Sequence, residues 1–203
     1  MIYFYFLKMT DSRLPIAPLP ASAPLINQLA RAFYEVVPTD YRTYCSFTSQ
    51  IVAQVLEHFG VPCERVPCQL WYCQPHHIYV VGFLGPGNPA YNPHKWDGHV
   101  VCCADHILID AVTHHFEREF KLPVPWLVTT PMFGFPTPAL ARASLDEHDA
   151  LLWQSPPAHA DTRLPDEPQD LVARYAQALI ERLQAQGPMA PANAVEYQPL
   201  LTP

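Results

Sequence analysis

Gly98-His99-Val100-Val101-Cys102-Cys103, followed by Ile107-Leu108-Ile109-Asp110-Ala111-Val112, is the stretch that decides the fold. Both runs are apolar and rich in β-branched residues, and a short polar break near Ala104-Asp105 separates them, so they predict an antiparallel hairpin. A two-residue turn at Ala104-Asp105 sets Cys103 opposite His106 and His99 opposite Asp110. Directly opposed side chains share a face, with Cβ atoms about 5 Å apart. Asp110 is then placed to bond an imidazole nitrogen and hold its tautomer. A four-residue turn in the same register keeps this pairing, whereas a three-residue turn breaks it. Val100, Cys102, Ile107 and Ile109 point to the other face, into a core. An aspartate inside so apolar a strand is costly unless partnered, and His99 supplies the partner.

Upstream, Tyr44-Cys45-Ser46 opens a run in which Phe47, Ile51, Val55 and Phe59 fall every four residues, with Val52 and Leu56 alongside. This predicts a helix from about Cys45 to Phe59, buried on a broad face and stopped by Gly60. A thiol reacts as thiolate, and the free N–H groups and dipole of a helix N-terminus favour negative charge there. The backbone N–H of Cys45 can also serve an oxyanion. Cys45, His99 and Asp110 therefore form a candidate nucleophile, base and orienting carboxylate. The plainer alternative makes Cys45 a packed thiol, His99 a satisfied core histidine and Asp110 the cap of a turn near Thr113.

Further outward, Leu14–Pro24 is a proline-punctuated arm, and Ser22 caps a helix to about Val36. Strands are expected at Glu64–Tyr72 and His77–Leu84, then a long loop over Gly85–Lys95. Lys121–Pro138 reads as irregular, with one short strand at Trp126–Thr130. Pro156–Pro168 is a polar connection, and a last helix runs from about Gln169 to Gln186, stopping at Gly187-Pro188. Helices, then strands, then a helix point to α+β with an antiparallel sheet. The expected layout is an arm over 1–21, one domain over 22–187 and a loose tail over 188–203.

Composition narrows the partners. Among 203 residues the formal charge is −7 and no lysine- or arginine-rich patch occurs, which argues against nucleic acid and anionic membrane. Met1–Met9 is apolar but far shorter than the ~20 residues of a membrane span. It lacks the basic start of a signal peptide, and Met9 is a plausible alternative start. A cytoplasmic setting with six reduced cysteines is the expectation. Cys63, Cys68 and Cys73, five residues apart, match no usual zinc spacing, so packed thiols are the better account. Trp71, Tyr72, Tyr91 and Trp126 are candidates for an aromatic substrate wall, with core packing the simpler role.

Tyr44-Cys45-Ser46 leading into His58-Phe59-Gly60-Val61-Pro62 is similar to the nucleophile helix of the transglutaminase-like, papain-like superfamily. Trp96-Asp97-Gly98-His99-Val100-Val101, followed by Leu108-Ile109-Asp110-Ala111-Val112-Thr113, resembles that superfamily's histidine and aspartate strands. Arylamine N-acetyltransferases share the order Cys, His, Asp. The resemblance covers about Pro38–Phe116. It implies a papain-like α+β fold in which the nucleophile helix packs on an antiparallel sheet, with extra N- and C-terminal helices. It also implies Cys45 as nucleophile, His99 as general base and acid, and Asp110 as orienter. Trp96, Tyr44 and Gly98, beside the trio, are the candidate substrate-binding residues. The implied chemistry is amide hydrolysis or acyl transfer through a thioester, on a small or peptide-like acyl substrate. No cofactor is needed, and acyl-CoA is a possible donor in the transferase variant. The competing class is a non-catalytic binding domain that keeps the fold.

Overall fold

The computed structural model describes residues 20–187, apart from 90, 93, 123, 126, 134–137 and 159. The arm expected over 1–21 lies outside the described residues as far as residue 19, and the tail expected over 188–203 lies wholly outside them. Among the described residues, four α-helices, α1 (Ala23–Val36), α2 (Cys45–His58), α3 (His114–Phe120) and α4 (Gln169–Ala185), accompany seven strands. The strands are β1 (Glu64–Cys73), β2 (Ile78–Val81), β3 (His99–Ala104), β4 (Ile107–Asp110), β5 (Val128–Pro131), β6 (Ala139–Ser144) and β7 (Ala150–Gln154).

All strand pairs are antiparallel, in the order β5-β4-β3-β1-β7-β6 with β2 added along β1. The two ends of this sheet curl toward each other. Met132 bridges to Ala141, and the Thr130 hydroxyl donates to the Arg142 carbonyl at 2.9 Å. The architecture is α+β with a nearly closed antiparallel sheet.

Period-two alternation along the strands divides the apolar residues between two cores. Cys102, Ile107 and Ile109 face outward and pack with Leu29 and Phe33 of α1, Ile51 and Leu56 of α2, and Leu179 of α4. Cys68, Leu70, Tyr72, Val101, Leu108 and Trp153 face inward and pack with Phe116 of α3. The vicinal Cys102 and Cys103 thus belong to opposite faces. Helix α1 starts where expected, but the Ser22 hydroxyl donates to Asp105 Oδ2 at 2.8 Å and makes no cap bond. The α2 helix ends at His58, with Gly60 left-handed at φ 76° just beyond.

The hairpin register differs from the expected one. Its turn is Asp105-His106, both left-handed at φ 50° and 64°, and the strands pair Ala104 with Ile107, Cys103 with Leu108 and Cys102 with Ile109. Left-handed geometry at both central residues is that of a type I′ turn, whose twist suits a hairpin. Continued, this register sets Asp110 opposite Val101, so His99 is its diagonal neighbour, not its direct partner. The slip moves each pairing by an even step and therefore keeps both side chains on the same, inward face.

One edge of β1 is shared end to end by β3, on Glu64–Cys68, and β2, on Leu70–Cys73, while β7 takes the opposite edge of Gln69–Cys73. Between β2 and β3 the chain leaves the sheet as the 82–98 loop. Gly82 (φ 86°) turns it outward, and a Cβ there would lie 2.7 Å from the His99 backbone nitrogen, so only glycine fits. The Gln69 amide donates to the Gly82 and Phe83 carbonyls, each at 3.1 Å, and closes the gap. The loop therefore emerges at His99.

Candidate active site

Helix α2 lies on the outer face of the sheet, and its first residue, Cys45, comes to the point where β3 begins. Cys45 Sγ is 3.7 Å from the Gly98 carbonyl oxygen and within hydrogen-bonding reach of the His99 side chain. Arg65 of β1 fixes this end of the helix. Its guanidinium donates to the Ser46 carbonyl at 2.9 Å, the Ser46 hydroxyl at 2.8 Å and the Ser49 hydroxyl at 3.2 Å. A planar donor fork meeting three acceptors in one helical turn sets the azimuth of α2, and with it the direction of Cys45.

His99 is 3% exposed and Asp110 is fully buried. His99 Nε2 donates to Asp110 Oδ2 at 2.7 Å, leaving Nδ1 as the ring nitrogen for the thiol. The same Oδ2 accepts from Trp153 Nε1 at 2.8 Å, and Oδ1 accepts from the Val112 backbone N–H at 3.0 Å. Three donors satisfy a carboxylate that has no water to turn to, which is what burial of such a group requires. Burial alone pulls the imidazole toward its neutral form. The charge and hydrogen bond of Asp110, with further help from Cys45, outweigh that and raise it to about 10. His115 of α3 stands near enough to feel the His99 charge and is itself lowered, first by burial.

The other thiols around the site are of a different kind. Cys68, directly opposite His99 across the β1–β3 ladder, is fully buried and pushed well above its ordinary range, first by burial and then by the charge of Asp110. Cys103 is raised to about 12, chiefly by burial. Such thiols stay protonated and are poor nucleophiles.

Structure thus brings Cys45, His99 and Asp110 together. Gly98 sits against the thiol, and a Cβ on it would lie 2.2 Å from the Trp96 ring, so the indole lies directly on its backbone. Tyr44 is the N-cap of α2 with a side chain 61% exposed, at the rim beside Cys45. Tyr72 belongs to the inner core, Trp71 is half-buried, Tyr91 lines a cavity in the 82–98 loop, and Trp126 lies outside the described residues. Trp153 and Arg65 are the residues that the sequence did not disclose. Trp153 stands on β7, a stretch too short and too uniformly apolar to declare its element, and nothing in its neighbours marks it as a partner for Asp110. Arg65 alternates with Val66 in a strand, where an outward guanidinium ordinarily means solvent. Among the described residues no cluster of histidine, cysteine and carboxylate side chains could hold a metal ion.

No family model and no curated protein matches this chain. Among solved structures, the chain is similar to the crystal structure of a genomics target, at 16% identity and a TM-score of 0.34, over 84% of this chain and 78% of that one. A likeness this slight carries no argument about fold or activity.

Proposed function

We propose that this protein is a cysteine-dependent amide hydrolase or acyltransferase with a papain-like, transglutaminase-like core, acting through a covalent thioester. The observation that carries the reading is the buried His99–Asp110 pair, locked by Trp153, with its free ring nitrogen turned to a thiol at a helix N-terminus. A fully buried carboxylate held by three donors is an expensive way to pack a strand, but it is the arrangement that keeps one imidazole tautomer in place.

In this mechanism His99, raised to about 10 and so protonated at neutral pH, holds the proton on Nδ1 as an imidazolium that Asp110 stabilises, and Cys45 reacts as the thiolate paired with it. The thiolate attacks the acyl carbon of the substrate, and the oxyanion forms at the first turn of α2, where the Cys45 N–H is available. The bond from the acyl carbon to the leaving group then breaks, and the imidazolium returns its proton to that group. Water, an amine or a thiol next attacks the thioester, gives its proton to His99 and releases Cys45. No cofactor enters these steps, and an acyl-CoA can serve as donor where the enzyme acts as a transferase. Tyr44, Trp96 and Gly98 line the approach to the thiol. The chemistry needs reduced thiols, in keeping with six free cysteines and with a cytoplasmic site of action. No helix among the described residues is long and apolar enough to cross a membrane.

The test is acyl-enzyme trapping. Brief exposure to p-nitrophenyl acetate should place one acetyl group on Cys45, located by peptide mass mapping, and Cys45→Ser should abolish both adduct and turnover. Turnover undiminished in Cys45→Ser would refute the covalent route.

A further inference from the structure

We propose that Cys63 and Cys102 are a thiol modification site, a pair that closes to a disulfide by exchange with a low-molecular-weight disulfide and thereby loosens the seat of helix α2. That helix carries Cys45, but the pair stands apart from the thiol-enzyme reading and does not depend on it.

Strand register brings the two thiols together. Glu64 pairs with Cys103 and Arg65 with Cys102, so Cys63, one residue ahead of β1, falls diagonal to Cys102 across the β1–β3 ladder. Residues two apart in a strand share a face, and Cys63 packs in the same outer core as Cys102. Their sulfurs lie within hydrogen-bonding reach of each other. Cys103 belongs to the inner core, on the far side of the sheet.

The environments of the two thiols set an order of events. Cys63 is partly exposed and open to a reagent, whereas Cys102 is buried. Burial pushes the Cys102 thiol well above its ordinary range and keeps the proton on sulfur, which donates to the Ser49 carbonyl of α2 at 3.0 Å. Cys63 therefore reacts first. Its sulfur loses its proton and attacks one sulfur of the small disulfide, whose S–S bond breaks to release one small thiol. The Cys102 sulfur then loses its proton and attacks the Cys63 sulfur of the mixed disulfide, releasing the second small thiol. Two protein thiols are oxidised, and one small disulfide is reduced to two thiols.

Closure acts on α2 for a chemical reason. A disulfide sulfur carries no proton, so the bond from Cys102 to Ser49 is lost once the bridge forms. Diagonal cross-strand neighbours also stand about 7–8 Å apart, beyond the ~5.5–6 Å between the Cα atoms of most disulfides. The strands must therefore shift where they meet. Arg65, whose guanidinium holds Ser46 and Ser49, stands directly opposite Cys102 and so lies on the rung that moves. The sulfur contact and the Arg65 clamp hold the same turn of α2 to the sheet.

The test uses the full-length Cys45→Ser protein, in which Cys45 cannot compete for the reagent, incubated with glutathione disulfide. Peptide mapping without reduction should find Cys63 joined to Cys102, and the link should persist when Cys103→Ser is added. Hydrogen exchange read by mass spectrometry should show amides of the first two turns of α2 exchanging about three- to tenfold faster after oxidation, the scale of one lost hydrogen bond. Dithiothreitol should restore the slower exchange. Adding Cys63→Ser should make α2 exchange indifferent to the reagent. Failure of the link to form, a Cys63 left as the glutathione mixed disulfide, or a link to Cys103 or to a second molecule would overturn the pairing. A Cys63–Cys102 link that leaves α2 exchange unchanged would overturn its hold on the helix.

Discussion

Trp153 Nε1 and His99 Nε2 converge on one oxygen, Oδ2 of Asp110, at 2.8 and 2.7 Å. They come from β7 and β3, strands that flank β1 on opposite edges, while Asp110 sits on β4. Only a sheet that curls toward closure brings all three into one interior. The orientation of the imidazole is therefore a property of the barrel-like curvature as much as of the hairpin.

Asp110→Asn should be the most damaging conservative change in the site. An amide nitrogen cannot accept, so the His99 N–H, the Trp153 N–H or the Val112 N–H loses its partner. Removing the charge from this buried pair should cost roughly 3–5 kcal/mol of stability. Acid–base assistance to the thiol should fall by about 10²–10⁴. Urea unfolding and the acylation rate with p-nitrophenyl acetate measure the two effects, and a variant as stable and as fast as wild type would contradict the assignment.

Trp153→Phe keeps a ring in the inner core and deletes one donor to Oδ2. A stability loss of about 1–3 kcal/mol is expected. The acylation rate should fall less than in Asp110→Asn, since His99 keeps its bond to the carboxylate. A rate loss without any loss of stability would show that Trp153 acts on the reacting atoms and not through Asp110.

The raised imidazole also makes stability depend on pH, with a definite sign. His99 is near 10 in the folded protein and about 6.5 when unfolded. Its stabilising contribution is complete below the lower value and lost as pH rises through the upper one. The stability advantage of wild type over His99→Gln should be largest at about pH 6 and shrink steadily toward about pH 10. Denaturant midpoints across that window decide the matter, and an advantage that grows with pH would be the wrong sign.

Gly98→Ala forces a methyl group into the Trp96 ring, 2.2 Å away, so the indole must move. Overpacking of this kind costs about 1–3 kcal/mol. Because Gly98 also faces the thiol, the variant should shift tryptophan emission and slow Cys45 alkylation together. Unchanged emission would mean that the indole does not rest on Gly98.

Much of this arrangement was legible in the residues. The four-residue spacing of Phe47, Ile51, Val55 and Phe59 located α2 to within one residue and so placed Cys45 at its start. The hairpin, and the shared face of His99 and Asp110, followed from strand alternation. The register did not, because Asp105-His106 lacks the glycine or asparagine that ordinarily marks a type I′ turn. Helix α3 was not foreseen, since His114–Phe120 is short and charged, with Phe116 its one buried residue. Strands β6 and β7 were missed for another reason. Ala139–Ser144 alternates only weakly, and Ala150-Leu151-Leu152-Trp153 is too brief to tell from a buried helix segment. The strand predicted over His77–Leu84 stops at Val81, where Gly82 and Phe83 both turn left-handed to start the loop.

The central claim is that Cys45 is a nucleophile activated by His99, and alkylation kinetics test it most directly. Wild-type protein and the His99→Ala variant would be treated with limiting iodoacetamide at neutral pH, and all six cysteines followed by peptide mass mapping. The account predicts that Cys45 is modified first, ahead of the partly exposed Cys63, Cys73 and Cys103, and that this lead disappears in His99→Ala. A Cys45 that reacts no faster than those three, or equally fast without His99, would contradict it.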